Sequence, residues 1–593
     1  MPTDTVVERL FAEAARRPEG PALHEKRGGL WRTVTYRQYA DLVKRFGRAL
    51  LSLGFQKADT ISILAFNRVE WVVSAMGAMA AGGAAAGIYT TSSASEAGYI
   101  VGHAEAKVLV LENLQQWDKM KGELESLPKL QKVVLMRGTP APDHPLAIGW
   151  EAFLALGDAV SDERLLERAH SLEPQDLATL IYTSGTTGPP KGVMLSHGNI
   201  AFVAGAARRI AEAKPSDCSL SYLPLSHIAE QMFTVHGPVS WGGSIYFAES
   251  LEKVPEHLKE IQPTVFFGVP RIWEKFHAGI QSKLAGAKGA KKRIFTWASQ
   301  VGTQVSALRC KGEEPRGLLA LEYQLAKRLV FDKLKPALGL GRARFCVSGA
   351  APIAKEILEF FASLDIIIME VYGQSEDTGP TSFNRPGRVK FGTVGPAIDD
   401  IEVKIAEDGE ILVRGPHVFL GYLKEPEATA ETLKDGWLCS GDLGAFDSDG
   451  FLSITGRKKE ILITAGGKNI APKNIESALK NHPLVGEAVV IGDRRKYLTC
   501  LIALDPEGAA AYAKEKGVPV ETLHQNAGVR AELQKAIDEV NLELARVETV
   551  KKFHVLPKPF GIDTGELTPT LKVKRKVVNQ KYSAEIEAMY TES

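Results

Sequence analysis

The segment Tyr182-Thr183-Ser184-Gly185-Thr186-Thr187-Gly188-Pro189-Pro190-Lys191-Gly192 gathers four hydroxyls and three glycines around one lysine. The glycines permit tight turns in which backbone N–H groups converge on an anion. Thr183, Ser184, Thr186 and Thr187 add side-chain donors, and Lys191 adds a positive charge. Such a loop suits a polyphosphate. It is not a Walker A loop: Pro190 precedes Lys191 and Gly192 follows it, so the hydroxyl that would sit on magnesium is missing from its usual place.

Other stretches carry polar groups of the same kind, each with a plain structural alternative. Val371-Tyr372-Gly373-Gln374-Ser375-Glu376 follows an apolar run and so falls at the carboxyl end of a strand, where open α/β sheets bind ligands. Tyr372 can stack on a base and Glu376 can hold a magnesium that bridges phosphates; the alternative is a strand-to-turn element without function. Ser348-Gly349-Ala350-Ala351-Pro352 is a small-residue turn that admits a flat ring, or simply packs tightly. Asp442, between Gly441 and Gly444, can accept from ribose hydroxyls or serve as a β-turn aspartate. Lys572, Lys574 and Lys576 form a basic tail, and most such runs are solvated. The turn Gly565 to Thr570 would present Lys572 at a defined spot. His227 has no second ligand at metal-site spacing and reads as a hydrogen-bonded structural histidine. Neither HExxH nor GxSxG occurs, and Gly339-Leu340-Gly341 lacks the third glycine of a dinucleotide fingerprint.

The elements that must position these residues alternate in type. Apolar runs at 107–111, 132–136, 244–247, 264–267, 344–347 and 366–371 are separated by longer amphipathic stretches. That pattern predicts α/β layers with a largely parallel sheet. From about Phe391 short strands (401–405, 410–414, 451–455) are joined by Asp408-Gly409 and Asp449-Gly450, predicting a small antiparallel unit. The polar run Arg457-Lys458-Lys459-Glu460 reads as an interdomain joint. Beyond it lie strands at 487–492 and 498–504 and a helix at about 529–547. The fold class is therefore α/β, with a large multi-layer domain over 1–457 and a small α+β domain over 458–593, joined by a hinge.

At 593 residues the chain exceeds what one core organises. Its 72 basic and 71 acidic residues give no global field, which argues against nucleic acid or an anionic membrane as the main partner. Five scattered cysteines with no CxxC pair fit a reducing compartment, and the N-terminus shows no signal peptide, so the expected location is cytoplasmic. Trp71 to Tyr89 is long and uncharged but mostly Ala and Gly, and reads as a buried helix in preference to a membrane span. The stretch 280–340 is helical in pattern and studded with Lys288, Lys291, Lys292 and Arg293 beside Ile294, Phe295 and Trp297. A solvated helical face is the commoner explanation, and peripheral contact with the inner membrane face is the alternative.

Taken in order, the phosphate loop, Leu223-Pro224-Leu225-Ser226-His227, Ser348 to Pro352, Tyr372 to Glu376, Gly441 to Gly444, Thr455-Gly456-Arg457-Lys458-Lys459-Glu460 and the terminal lysine resemble the acyl-adenylate-forming superfamily. Phe267 to Glu274 and Gly565 to Lys572 are most similar to long-chain fatty acyl-CoA synthetases. The resemblance implies ATP, Mg²⁺ and CoA as cofactor and co-substrates, a fatty acid as substrate, and a place in fatty acid metabolism. It implies that Thr183, Ser184, Gly185, Thr186, Thr187, Gly188 and Lys191 cradle phosphates, Thr186 and Lys191 with a catalytic part. Thr183 and Glu376 would hold Mg²⁺. Gly349, Ala350, Ala351, Tyr372, Gly373, Gln374 and Ser375 would surround the nucleotide, with Ser375 where the family usually has Thr. Asp442 and Arg457 would take the ribose, and Lys572 would bridge carboxylate and α-phosphate. Lys459 would be the hinge, Gly466, Gly467 and Lys468 would line a CoA channel, and His227, Phe233, Val269 and Gly373 would border the acyl pocket. An adenylating enzyme that serves a free carrier protein is the alternative; only about twenty residues follow Lys572, so a fused carrier is not expected.

Overall fold

The strand Val108–Leu111 shows how this chain builds its centre. Val108 and Val110 enter one buried cluster and Leu109 and Leu111 enter another, because successive strand side chains point to opposite faces. Both faces are therefore apolar, as a parallel sheet covered by helices on each side requires. This computed structural model describes residues 4–183, 189–286, 288–465, 468–568 and 572–591.

An eight-stranded sheet runs in the order Gly421–Tyr422, Lys191–Ser196, Leu177–Thr183, Ala84–Ile88, Thr60–Leu64, Val108–Leu111, Lys132–Leu135 and Ala147–Gly149. The last six are parallel, and the first two join antiparallel. In a second sheet Val265–Gly268, Phe345–Ser348 and Ile368–Tyr372 are parallel, and Ser382–Phe383 closes the edge antiparallel. A third places Cys218–Ser221 and Ser244–Phe247 beside the hairpin Pro21–Arg27 and Leu30–Thr35. The antiparallel unit follows: Glu402–Ile405, Glu410–Arg414, Trp437–Phe446 and Leu452–Arg457, with Leu433–Lys434 on its rim. The smaller domain packs Val485–Ile491, Leu498–Leu504 and Val550–Leu556 against helices Pro472–Leu479 and Ala527–Leu542, with its own buried core. The expected α/β plan, parallel-rich in the large domain and α+β in the small one, is the plan observed.

One local expectation needs correction. Trp71 to Tyr89 is not one helix: Val69–Ala80 is helical and wholly buried, and Ala84–Ile88 is a central strand. Gly82 and Gly83 end the helix, and small apolar residues alone cannot tell a buried helix from a buried strand. Between the hydroxyl-rich loop and the next helix lies a further strand. Lys191–Ser196 first returns as a strand beside Leu177–Thr183, and only then does Ser196 cap the helix His197–Ile210 through a reciprocal box with Asn199. Among the described residues no helix is long and apolar enough to cross a membrane.

Candidate active site

Thr183, Lys191 and Tyr372 sit where a strand starts or stops. Thr183 ends its strand and pairs with Lys191 across the hairpin, so hydroxyl and lysine flank one loop mouth. Ser184, Gly185, Thr186, Thr187 and Gly188, between them, lie outside the described residues. Gly349 to Ala351 follow the strand Phe345–Ser348. Ala350 adopts the left-handed region at φ 67°, a conformation that costs a non-glycine residue energy and is found at functional turns. Tyr372 ends the neighbouring strand. At Gly373 a Cβ would fall 1.4 Å from the Gly379 carbonyl, so only glycine allows the loop to close there.

That loop is fixed at several points. Asp377 accepts from the Gln374 amide (2.7 Å) and from the Thr381 hydroxyl (2.6 Å), and burial raises its carboxyl well above the ordinary range. Glu376 is half-buried, and its Oε1 accepts from the Tyr422 hydroxyl at 2.7 Å. Tyr422 also lies beneath Lys191, whose Nζ is 5.0 Å from the ring centre and 3.5 Å from Glu425. Asn199 ties this assembly to the capped helix by donating to the carbonyls of Pro416 and Val418. One tyrosine thus joins the Glu376 turn to the Thr183–Lys191 hairpin.

Asp442 does not occupy a simple turn. It stands inside the strand Trp437–Phe446, opposite Arg457, just before a bulge at Leu443/Gly444. Its Oδ2 accepts from the Tyr372 hydroxyl at 2.8 Å, and Arg457 approaches Oδ1 at 3.3 Å. Burial raises its pKa, and Arg457 and Tyr372 oppose that rise. A tyrosine ring and a carboxylate held on one network can face the base and the sugar of a nucleotide.

Lys572 is delivered from the smaller domain. Leu567 bridges Val573, and Thr568 and Lys572 exchange hydrogen bonds at 2.8 and 3.0 Å, so the lysine rides on a short hairpin. Lys572 is exposed, yet the protein around its ammonium still excludes enough water to act on its charge. Desolvation lowers its pKa first, and Arg457 and Lys473 push the same way against Asp442 and Glu376. The same ammonium acts on His227, whose pKa burial holds near 4. Lys572, Asp442, Glu376, Arg457 and His227 therefore share one electrostatic neighbourhood. Lys458 is anchored to Asp408 and to Glu410 (2.9 Å), while the adjoining Lys459 is exposed. Gly466 and Gly467 lie outside the described residues; Lys468 is exposed, its amide donating to Thr464.

The segment 225–233 is more than a histidine loop. His227 Nδ1 accepts from the Ala229 amide and so caps a short helix that continues as a π-turn, Met232–His236. Phe233 stacks on Phe267 at 4.8 Å, Val269 packs at the edge of the main core, and Met232 lies 4.0 Å from a Cβ built on Gly379. An apolar wall runs beside the Gly373–Gly379 loop. Behind it, buried Glu230 accepts from Ser221 (2.6 Å), Thr234 (2.8 Å) and Asn67 (3.3 Å), with burial lifting its carboxyl to about 7. Sequence reasoning missed Tyr422, Lys473 and Glu230. Tyr422 sits beside Gly421, but nothing local distinguishes it from a packing aromatic.

Comparison with known proteins follows this geometry. The family model described as AMP-binding enzyme matches residues 10–423, and the model described as AMP-binding enzyme C-terminal domain matches 459–593. Long-chain-fatty-acid–CoA ligase ACSBG2 of Xenopus laevis is 37% identical, across 99% of this chain and 84% of its own. Long-chain-fatty-acid–CoA ligase FadD15 of Mycobacterium bovis is 37% identical, across 99% and 97%. The A domain of carboxylic acid reductase from Segniliparus rugosus, solved with AMP and a co-purified carboxylic acid, shares the fold at a TM-score of 0.72, with 21% identity over 99% of this chain and 94% of its own.

Proposed function

The chain belongs to the AMP-binding enzyme family, and from that premise we propose that it is an ATP-dependent long-chain fatty acid:CoA ligase. The adenylate chemistry rests on one feature above all: Lys572, from the smaller domain, lies within electrostatic reach of Asp442 and Glu376 in the larger one. The long-chain acid and the CoA acceptor rest on the two ligases of 37% identity.

A fatty carboxylate is already ionised at neutral pH, its pKa being about 4 to 5, so the first step needs no base. Its difficulty is bringing one anion onto the α-phosphorus of another. Lys572 between them offsets the repulsion and stabilises charge on the phosphoryl oxygens. Lys191 and the Thr183 hydroxyl attend the departing pyrophosphate. Tyr372 flanks adenine, and Asp442 with Arg457 holds the ribose. The Glu376 carboxylate and the Thr183 hydroxyl would hold Mg²⁺, which takes oxygen donors of this kind. When bound, the ion supplies charge neutralisation on the phosphates.

In the second step the CoA thiol, with a pKa near 8.5, attacks the acyl carbonyl as thiolate and AMP leaves. The thiolate needs the space that Lys572 fills. We assign the pivot to Lys459, beside the boundary of a large domain over 1–457 and a mobile domain over 458–593; Lys458, held by Asp408 and Glu410, ties the first residue of the mobile domain to the large one. The opposite orientation would bring 464–469 to the channel mouth.

The test is pyrophosphate release across acids from acetate to oleate, followed by identification of the thioester. Release that peaks with long acids and a CoA thioester is expected. A thioester formed only with a carrier protein would favour the carrier-loading alternative, and no release with any acid would reject the reading.

A further inference from the structure

The helical excursion between Ala290 and Ala337 contributes no residue to the site described above. Helix Gly317–Ala326 turns Tyr323 and Ala326 inward, against Ala298, Val301, Val305 and Phe331. Its outer side carries Leu318, Leu321 and Leu325, and the next turn adds Leu329, with exposures of 71, 70, 50 and 39%. Spacings of three, four and four residues align them in a single row. Single exposed leucines are ordinary; an unbroken row of four on a helix whose other face is already in a core is not. A helix apolar on both sides has to meet a second apolar phase.

The charge around the row says which phase. Residues 281–340 hold twelve Lys and Arg against four Asp and Glu, in a chain that is otherwise slightly acidic. Arg316 is exposed at one end of the row, and Arg328 and Lys333 at the other. Trp297 and Val330 pack on the same small core, which brings the start of helix Ala290–Arg309 to that second end. There Lys288, Lys291, Lys292 and Arg293 are exposed beside Ile294, itself 41% exposed.

We propose that this face seats the protein on an anionic phospholipid surface, with the leucine row entering the acyl boundary and the basic side chains meeting headgroup phosphates. A second copy would set one basic field against another, which disfavours self-association through this patch. A protein partner's anchor typically fills a desolvated pocket with an aromatic or arginine, whereas this is a protruding aliphatic ridge. Aliphatic insertion with flanking cations is how interfacial helices bind bilayers. The docking stands on the helices and their charges alone and does not require the acyl substrate proposed above.

The full chain would be sedimented with phosphatidylcholine vesicles with and without phosphatidylglycerol. Binding to the anionic vesicles alone, falling as salt rises, is expected. The triple variants Leu318→Gln/Leu321→Gln/Leu325→Gln and Lys291→Glu/Lys292→Glu/Arg293→Glu should each weaken it by more than about tenfold. Pyrophosphate release with a short, water-soluble acid should be unchanged in both, which also reports that they fold. The proposal fails if the parent stays in the supernatant, or if both variants bind as the parent does. It fails equally if light scattering finds a dimer that the leucine variant dissolves.

Discussion

Asp442 and Lys572 act on one another's charge from two differently built supports. Asp442 belongs to a strand pair, with Arg457 opposite and the Tyr372 hydroxyl at 2.8 Å, inside a domain with an extensive core. Lys572 rides on a hairpin of the smaller domain, which reaches the helix Pro270–Ala285 through Arg271–Asp505 (2.7 Å) and Lys275–Glu507 (2.9 Å). Neither pair is buried. The side proposed for the nucleotide is thus fixed by the fold, while the ion pairs named on the lysine side are cheap to break. A reaction that needs a cation first and empty space afterwards calls for that division.

The sharpest way to break the comparison is to remove the delivered group. Lys572→Ala should lower adenylate formation by about 10²- to 10³-fold or more, the usual cost of losing one transition-state charge partner. The same variant should still convert supplied acyl-AMP to the thioester. Single-turnover assays of the two half-reactions separate these outcomes, and equal loss in both would remove the case for a moving lysine. The pH profile sharpens the point. Desolvation, Arg457 and Lys473 hold the Lys572 pKa below the ordinary lysine value, and the lysine assists only while protonated. The alkaline limb of kcat/KM for pyrophosphate release should therefore fall below 10.5, and Lys572→Arg should move it upward.

On the fixed side, Asp442→Asn should raise the KM for ATP by about tenfold or more, since hydrogen bonds to a charged acceptor are worth about 1.5–3 kcal/mol. The KM for the fatty acid should stay within about twofold on the same reasoning, because the lost bonds reach only the nucleotide. A parallel rise in both constants would mean that Asp442 supports the site in general and does not single out the ribose. Tyr422→Phe tests the seam between sheets. It deletes the 2.7 Å bond to Glu376 and keeps the ring under Lys191. A loss of about three- to tenfold is expected from one neutral-to-charged bond, together with a higher Mg²⁺ requirement. An unchanged Mg²⁺ titration would dissociate Glu376 from the metal.

Much of this division was legible in the sequence, because strand ends announce themselves. Apolar runs of β-branched residues stopping at Tyr372 and Ser348 located the turns proposed for the nucleotide, and Asp-Gly pairs located the antiparallel unit. What stayed hidden depends on contacts far apart in the chain. Tyr422 meets Glu376 across forty-six positions, and Lys473 reaches Lys572 from another helix. The return strand Lys191–Ser196 escaped because six residues running into a capping serine look like the lead-in to a helix. Leu318, Leu321 and Leu325 escaped for the opposite reason: apolar periodicity marks a face that must be covered, and a sequence does not say by what.

The smallest effect concerns the ties between the domains. Exposed ion pairs contribute about 0–1 kcal/mol each, so Arg271–Asp505 and Lys275–Glu507 together bias the domain equilibrium by only a few fold. Arg271→Asp should slow adenylate formation by about two- to fivefold, through repulsion from Asp505 in the orientation that presents Lys572. The thioester half-reaction should hold or quicken, because the competing orientation gains what this one loses. Pairing it with Asp505→Arg should restore the parent rates, and added salt should shrink all of these differences. Rescue is the discriminating readout: if the reversed pair stays as slow as Arg271→Asp alone, Arg271 acts within the large domain, and the lysine hairpin is held in place by something other than charge.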